Sequence, residues 1–126
     1  METSPTKITS FTDLIAWKEA HKLVLMIYEV TKNFPRDEVF GLISQMRRCS
    51  VSISSNIAEG FTRRGKNEKI QFYKISQGSL TELQNQLIIS KDIQYIDSDI
   101  FKNITNQTIT VNKIIYGLIN GLNTKY

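Results

Sequence analysis

Four stretches of this chain repeat their apolar residues every three or four positions, and short polar breaks separate them. That rhythm is the strongest constraint on the fold, because it belongs to helices with one buried face. In the first stretch Leu14, Trp17, His21, Val24, Leu25 and Tyr28 keep the spacing. Thr12 or Asp13 stands where a side chain can cap its start. Pro35 ends it, since the residue before a proline resists helical geometry. Arg36 and Asp37 then read as a turn. The second stretch runs from about Glu38 to Thr62, with Leu42, Ile43, Met46, Ile53, Ile57, Ala58 and Phe61 on its apolar face. The third, from about Asn67 to Asp92, carries Phe72, Ser76, Leu80, Leu83 and Leu87, widened by Ile70, Tyr73 and Ile88. Asn67 is placed to cap it, and Glu68 suits the positive end of the helix dipole. The fourth runs from about Asp99 to Leu122 through Ile100, Ile104, Thr108, Val111, Ile115 and Leu118, with Asp97 or Ser98 as its cap. Thr108 to Val111 also alternates as a strand does. The helical period outlasts that alternation, so the sequence predicts a helix.

Four amphipathic helices joined by short turns predict an all-α fold, an antiparallel up-down-up-down four-helix bundle. The 126 residues fit one domain: a bundle over 11–126, preceded by a flexible lead-in over 1–10. Trp17 is expected to be largely buried against the second and third helices. Charged or amide residues interrupt every apolar run before the roughly 20 residues of a membrane span, so no membrane partner is predicted. METSPTKITS lacks the apolar core of a secretory signal, and the chain has one cysteine, Cys49. Both point to a cytoplasmic protein in which Cys49 is a small structural residue.

The chain also has one histidine, His21. A nucleophile–histidine pair or a His/Cys metal cluster has almost nothing to work with. Glu-x-x-His pairs for a di-iron bundle are absent, and no second carboxylate lies near Glu59 in sequence. The sequence therefore predicts a non-enzymatic protein with no metal and no cofactor. Gly60 and Gly65 have the spacing of a phosphate loop, but Lys66-Asn67 follows instead of Lys-Ser/Thr, and no strand precedes it.

Charge is unevenly placed. Residues 44–74 hold seven basic and two acidic groups, whereas the remainder of the chain is nearly balanced. Arg47, Arg48, Arg63, Arg64, Lys66 and Lys69 are six of those seven. Such a patch is either a solvated corner or the footprint of a nucleic-acid contact, RNA before DNA. On a helical wheel Arg48, Ser52, Ser55, Glu59 and Arg63 share one strip opposite the apolar face. Glu59 can pair with Arg63, four residues on, and Arg48 is a candidate internal partner of Glu59. This strip of small and polar residues is either a solvent face or a second packing surface against another copy. Gly60 and Gly65 are read as relieving left-handed geometry at a helix end.

Three motifs are more specific: D-L-x-x-W at Asp13 to Trp17, F-G-L-x-x-Q-x-R-R at Phe40 to Arg48, and S-N-I-A-E-G at Ser55 to Gly60. With them the stretch from about Phe11 to Ile96 resembles the four-helix-bundle proteins of the 23S rRNA intervening-sequence (S23) family, which includes the accessory variability determinant of diversity-generating retroelements. The resemblance implies a ring-like homopentamer with a positively charged surface or channel. In the retroelement branch it implies binding of nucleic acid and of a reverse transcriptase, which makes an adaptor role the alternative. By motif, Arg47, Arg48, Asn56, Glu59, Gly60, Arg63 and Arg64 take the family's positions. Gly65 departs from the family's usual serine, which shifts the expected cap to Asn67.

Overall fold

The computed structural model describes residues 7–124; the first six residues of the expected lead-in lie outside them. Four helices follow in order: α1 (Ile15–Thr31), α2 (Leu42–Thr62), α3 (Lys66–Asp92) and α4 (Ser98–Thr124). Each packs on its sequence neighbour, and α4 closes back on α1, so the expected up-down-up-down bundle is the observed one. The stretch around Thr108 is helical. The Thr108 hydroxyl donates to the Thr105 carbonyl at 2.6 Å and accepts from Gln84 Nε2 at 3.0 Å.

The core is a column of Leu23, Ile27, Met46, Ile53, Ile57, Leu80, Leu83, Leu87, Val111 and Ile115, all fully buried. On α1 the buried face differs from the expected stripe. Ala16, Ala20, Leu23, Ile27 and Thr31 point inward, whereas His21, Leu25 and Tyr28 are exposed and Trp17 and Val24 only half-buried. The two alanines explain this. A small side chain lets α1 seat its backbone close to the core, and the bulky residues are left flanking it. Trp17 lies flat against the His21 ring, centroids 4.7 Å apart, with Phe11 edge-on at 5.4 Å.

The tightest seam joins α2 and α3. A Cβ at Gly60 would stand 2.6 Å from Tyr73 Cε1 and 3.1 Å from Phe72 Cβ. Gly60 is helical with no positive φ. The motif glycine is therefore demanded by close approach, not by left-handed geometry. Along the same seam the Ser76 hydroxyl donates to the Ile53 carbonyl at 2.8 Å, Ser52 and Ser79 share a 2.8 Å bond, and the Cys49 thiol donates to the Ser79 carbonyl at 2.8 Å. Burial, reinforced by the Glu82 carboxylate, pushes the Cys49 thiol up to about 12. It is the inert packing residue expected of it.

Three helix starts differ from the sequence reading and one agrees with it. Ser10 and Asp13 form a capping box around a 3-10 turn (Phe11–Asp13), and α1 starts only after it. Gly65, not Asn67, is the N-cap of α3. Helix α2 begins at Leu42 rather than near Glu38, because a 3-10 turn (Arg36–Glu38) and a further turn over 39–41 come first. Asp97 caps α4 as expected, accepting from the Ile100 amide at 2.8 Å. At the same end the Glu38 carboxylate accepts from the Leu42 amide at 3.0 Å and from the Tyr95 hydroxyl at 2.7 Å. It thus caps α2 and ties the α1–α2 turn to the α3–α4 turn.

Two glycines on helices should respond oppositely to alanine. Gly60→Ala should cost about 1–3 kcal/mol, because the buried Tyr73 ring has to move. Gly78→Ala, where a Cβ meets nothing within 4 Å, should stabilise by about 0.5–1 kcal/mol. Urea unfolding of the two variants checks both signs. Glu38 should show in the acid limb of the stability curve. The Leu42 amide first, then the Tyr95 hydroxyl, hold its carboxyl below its ordinary value. Its contribution is complete above the unfolded value, about 4.5, and is lost as pH falls through the folded value. Glu38→Gln should therefore lose less stability than the parent over that acid range, as thermal melts at stepped pH would show.

Candidate nucleic-acid interface

The turn between α2 and α3 gathers charge because it is short. Helix α2 ends at Thr62, Arg63 is its extended C-cap, and α3 begins at Lys66. Three cations, Arg63, Arg64 and Lys66, thus sit within four residues at one pole of the bundle. Arg63 Nη2 pairs with Glu59 Oε1 at 3.3 Å, and its guanidinium lies 4.6 Å from the Phe72 ring centroid. The pair is exposed and contributes a few tenths of a kcal/mol. Its greater effect is to hold Arg63 over the Phe72 ring. Arg64 is exposed and makes no hydrogen bond or ion pair with any described residue. Helix α3 starts behind them without a side-chain cap, so the positive end of its dipole adds to the field.

The other three expected contacts are placed differently. Lys69 Nζ donates to the Phe61 carbonyl at 2.7 Å and to the Gly60 carbonyl at 3.3 Å. It closes the C-terminus of α2, and burial pushes its ammonium below the ordinary value. Lys69 is a structural lysine. Arg47 and Arg48 lie sixteen residues down α2 from Arg63 and Arg64, about 24 Å along the axis at 1.5 Å per residue. Arg47 Nε donates to Thr31 Oγ1 at 2.9 Å, and its guanidinium sits 4.6 Å from the Tyr28 centroid. Arg48 bonds Gln45 at 3.3 Å and makes no pair with Glu59. The six cations are two groups at opposite ends.

The polar strip of α2 is also divided. Asn56 donates to the Ser52 carbonyl at 2.8 Å, and Ser52 turns to Ser79, so both serve the α2–α3 seam. Only Arg48, Ser55, Glu59 and Arg63 of that strip remain exposed. Two features were not foreseen. The lysine cap at Lys69 has no sequence signature beyond its charge. The Glu38–Tyr95 bond spans 57 residues, too far apart for any local pattern to reveal.

Among the described residues, no three His, Cys, Asp or Glu side chains come together as a metal site, and no helix is long and apolar enough to cross a membrane.

A closed four-helix bundle with a cationic pole, and with its polar chemistry on the outside, defines a small helical scaffold. The chain belongs to the family of 23S rRNA-intervening sequence proteins, whose model matches residues 12–117. Its fold is similar to that of a protein of unknown function from the S23 ribosomal protein family of Bacteroides thetaiotaomicron. The TM-score is 0.75 at 20% identity, over 83% of this chain and 98% of the other. No curated protein matches the chain in sequence.

The split of the cations makes a checkable distinction. Lys69→Ala should destabilise the bundle by about 1 kcal/mol or more, since two helix-end carbonyls lose their donor. Arg64→Ala should leave stability within about 0.5 kcal/mol. Chemical denaturation of the two single variants measures this.

Proposed function

We propose that this chain is a non-enzymatic, self-associating bundle that binds nucleic acid, RNA before DNA, through the pole formed by Arg63, Arg64 and Lys66. The observation that carries the reading is this cluster: three cations in four residues, one held over an aromatic ring and one exposed without a partner, at a helix N-terminus without a side-chain cap. Phosphate oxygens are the ligands such a site suits. The family's name joins it to 23S rRNA, which favours RNA. A ring of five copies, the assembly the resemblance implies, would repeat the cluster and so multiply a modest monomer charge into one field. The alternative, an adaptor for a protein partner such as a reverse transcriptase, is supported by apolar side chains left on the surface, Phe40 above all.

The test is a salt series. Binding of a structured RNA, followed by fluorescence anisotropy from about 50 to 200 mM salt, should weaken steeply. The slope should be near −0.7 to −0.9 in log–log terms per phosphate neutralised. The Arg63→Ala/Arg64→Ala/Lys66→Ala variant should keep its fold and assembly and lose most of the affinity. Arg47→Ala should lose stability instead, through Thr31 and Tyr28. A triple variant that binds with the parent's affinity and slope would make the cluster a solvated corner. A parent that binds no nucleic acid at low salt would leave the adaptor reading standing.

A further inference from the structure

Phe40 is 94% exposed, the most exposed large apolar side chain among the described residues, and it does not sit on a loose loop. The Val39 amide donates to the Arg36 carbonyl at 3.1 Å, and the Gly41 amide donates to the Glu38 carbonyl at 3.0 Å. The Glu38 carboxylate is fixed from two sides by the Leu42 amide and the Tyr95 hydroxyl. Gly41 belongs to this arrangement, since a Cβ there would meet Glu38 Oε1 at 2.6 Å. The turn is thus a braced pedestal that carries an aromatic ring out into water. Burial is the only favourable use for such a ring, and its fixed position lowers the ordering cost of a contact.

Beside the pedestal, between α1 and α2, lies a groove of about 450 Å³ walled by Tyr28, Ile43 and Val51. Arg47 and Arg48 form its rim. Phe40 lies three residues from Ile43 on the braced turn, is 94% exposed and does not line the groove of its own chain. Three residues before Phe40 the Asp37 carboxylate is exposed, with Arg36 on its other side and Glu38 already held by Leu42 and Tyr95. An apolar ring beside a free-facing carboxylate and an apolar groove bordered by Arg48 are complementary, and one chain carries both.

We infer that the groove's occupant is Phe40 of a second copy of this chain, with Asp37 of that copy facing Arg48. This rests on the self-association proposed above and names its contact. A two-fold dimer or a closed ring would use the same knob and groove. Central aromatic anchors with charged rims are the usual energetic pattern of such contacts.

Sedimentation velocity at micromolar concentration tests it, with circular dichroism to confirm helix content. The parent should sediment at a multiple of 14.5 kDa. Phe40→Ser should weaken association by roughly thirtyfold or more with unchanged helix content, because the ring contributes nothing inside its own chain. Val51→Glu, which charges the groove wall, should do the same. Asp37→Arg and Arg48→Glu should each weaken association, and the two together in one chain should restore it. If Phe40→Ser and Val51→Glu sediment as the parent does, the contact is elsewhere and only this inference falls. If the parent itself sediments at 14.5 kDa, self-association falls with it, and Phe40 is left to a partner of another kind.

Discussion

The approach of α3 to α2 governs the remainder of the bundle. At Gly60 there is no side chain between the α2 backbone and Tyr73, and further down the seam the contact is made by Ser52, Ser76, Ser79 and Cys49. Serine is a poor helix former because its hydroxyl competes for backbone groups. Here that tendency is turned to use. Ser76 bonds a carbonyl of the facing helix, and Ser50 and Ser54 bond carbonyls of their own helix. Each bond adds about 0.5–1.5 kcal/mol net. The larger effect is geometric, since small side chains bring the two backbones together along their shared length. Helix α2 gains little from propensity in its serine-rich middle and depends on this seam.

The seam also decides where charge goes. Because α2 and α3 are held in close antiparallel register, the link between them is only Arg63 to Gly65. Its cations cannot spread out. The opposite end of the bundle carries Asp37, Glu38, Asp92, Asp97 and Asp99 together with Lys32, Arg36, Arg47, Arg48 and Lys91, so charge offsets there, whereas cations dominate the α2–α3 link. Lys69 shows the limit of counting charges. It belongs to the basic segment by sequence, yet its ammonium is spent on the last carbonyls of α2.

The helices and their order were legible because four long stretches keep one period, and a period of 3.6 has a single structural meaning. The caps were less so. Asn67 and Thr12 are good capping residues by type, but the helix start depends on where the chain first meets its neighbour: Gly65 is the N-cap of α3, and Leu14 is the N-cap of α1, after a 3-10 turn that Ser10 and Asp13 cap. The α1 stripe was misread for a related reason. Large apolar residues at helical spacing suggest the core, yet Ala16 and Ala20 pack there because a small residue admits a closer helix. The basic cluster was read as one patch because its members are near in sequence along a 21-residue helix. The same length separates them in space. The S-N-I-A-E-G motif was recognisable, but the need for its glycine lies in Tyr73, thirteen residues on and on another helix.

The interior leaves little room for chemistry. Large side chains fill the column between the helices, and among the described residues the one buried side-chain polar atom without a partner is Gln86 Oε1. The grooves are on the surface. Function therefore has to be carried by the outside of the bundle, where the two most distinctive exposures, the Arg64 pole and the Phe40 pedestal, lie at opposite ends of α2. That separation has a mechanical consequence. Copies joined through the Phe40 end leave the arginine pole uncovered, so assembly and polyanion contact do not compete. In the proposed assembly they would reinforce one another, because a nucleic acid held by one pole would meet the next at a raised effective concentration. Single sites too weak to hold an RNA alone would become adequate once such a scaffold repeated them, with the α2–α3 seam fixing each pole on its own bundle.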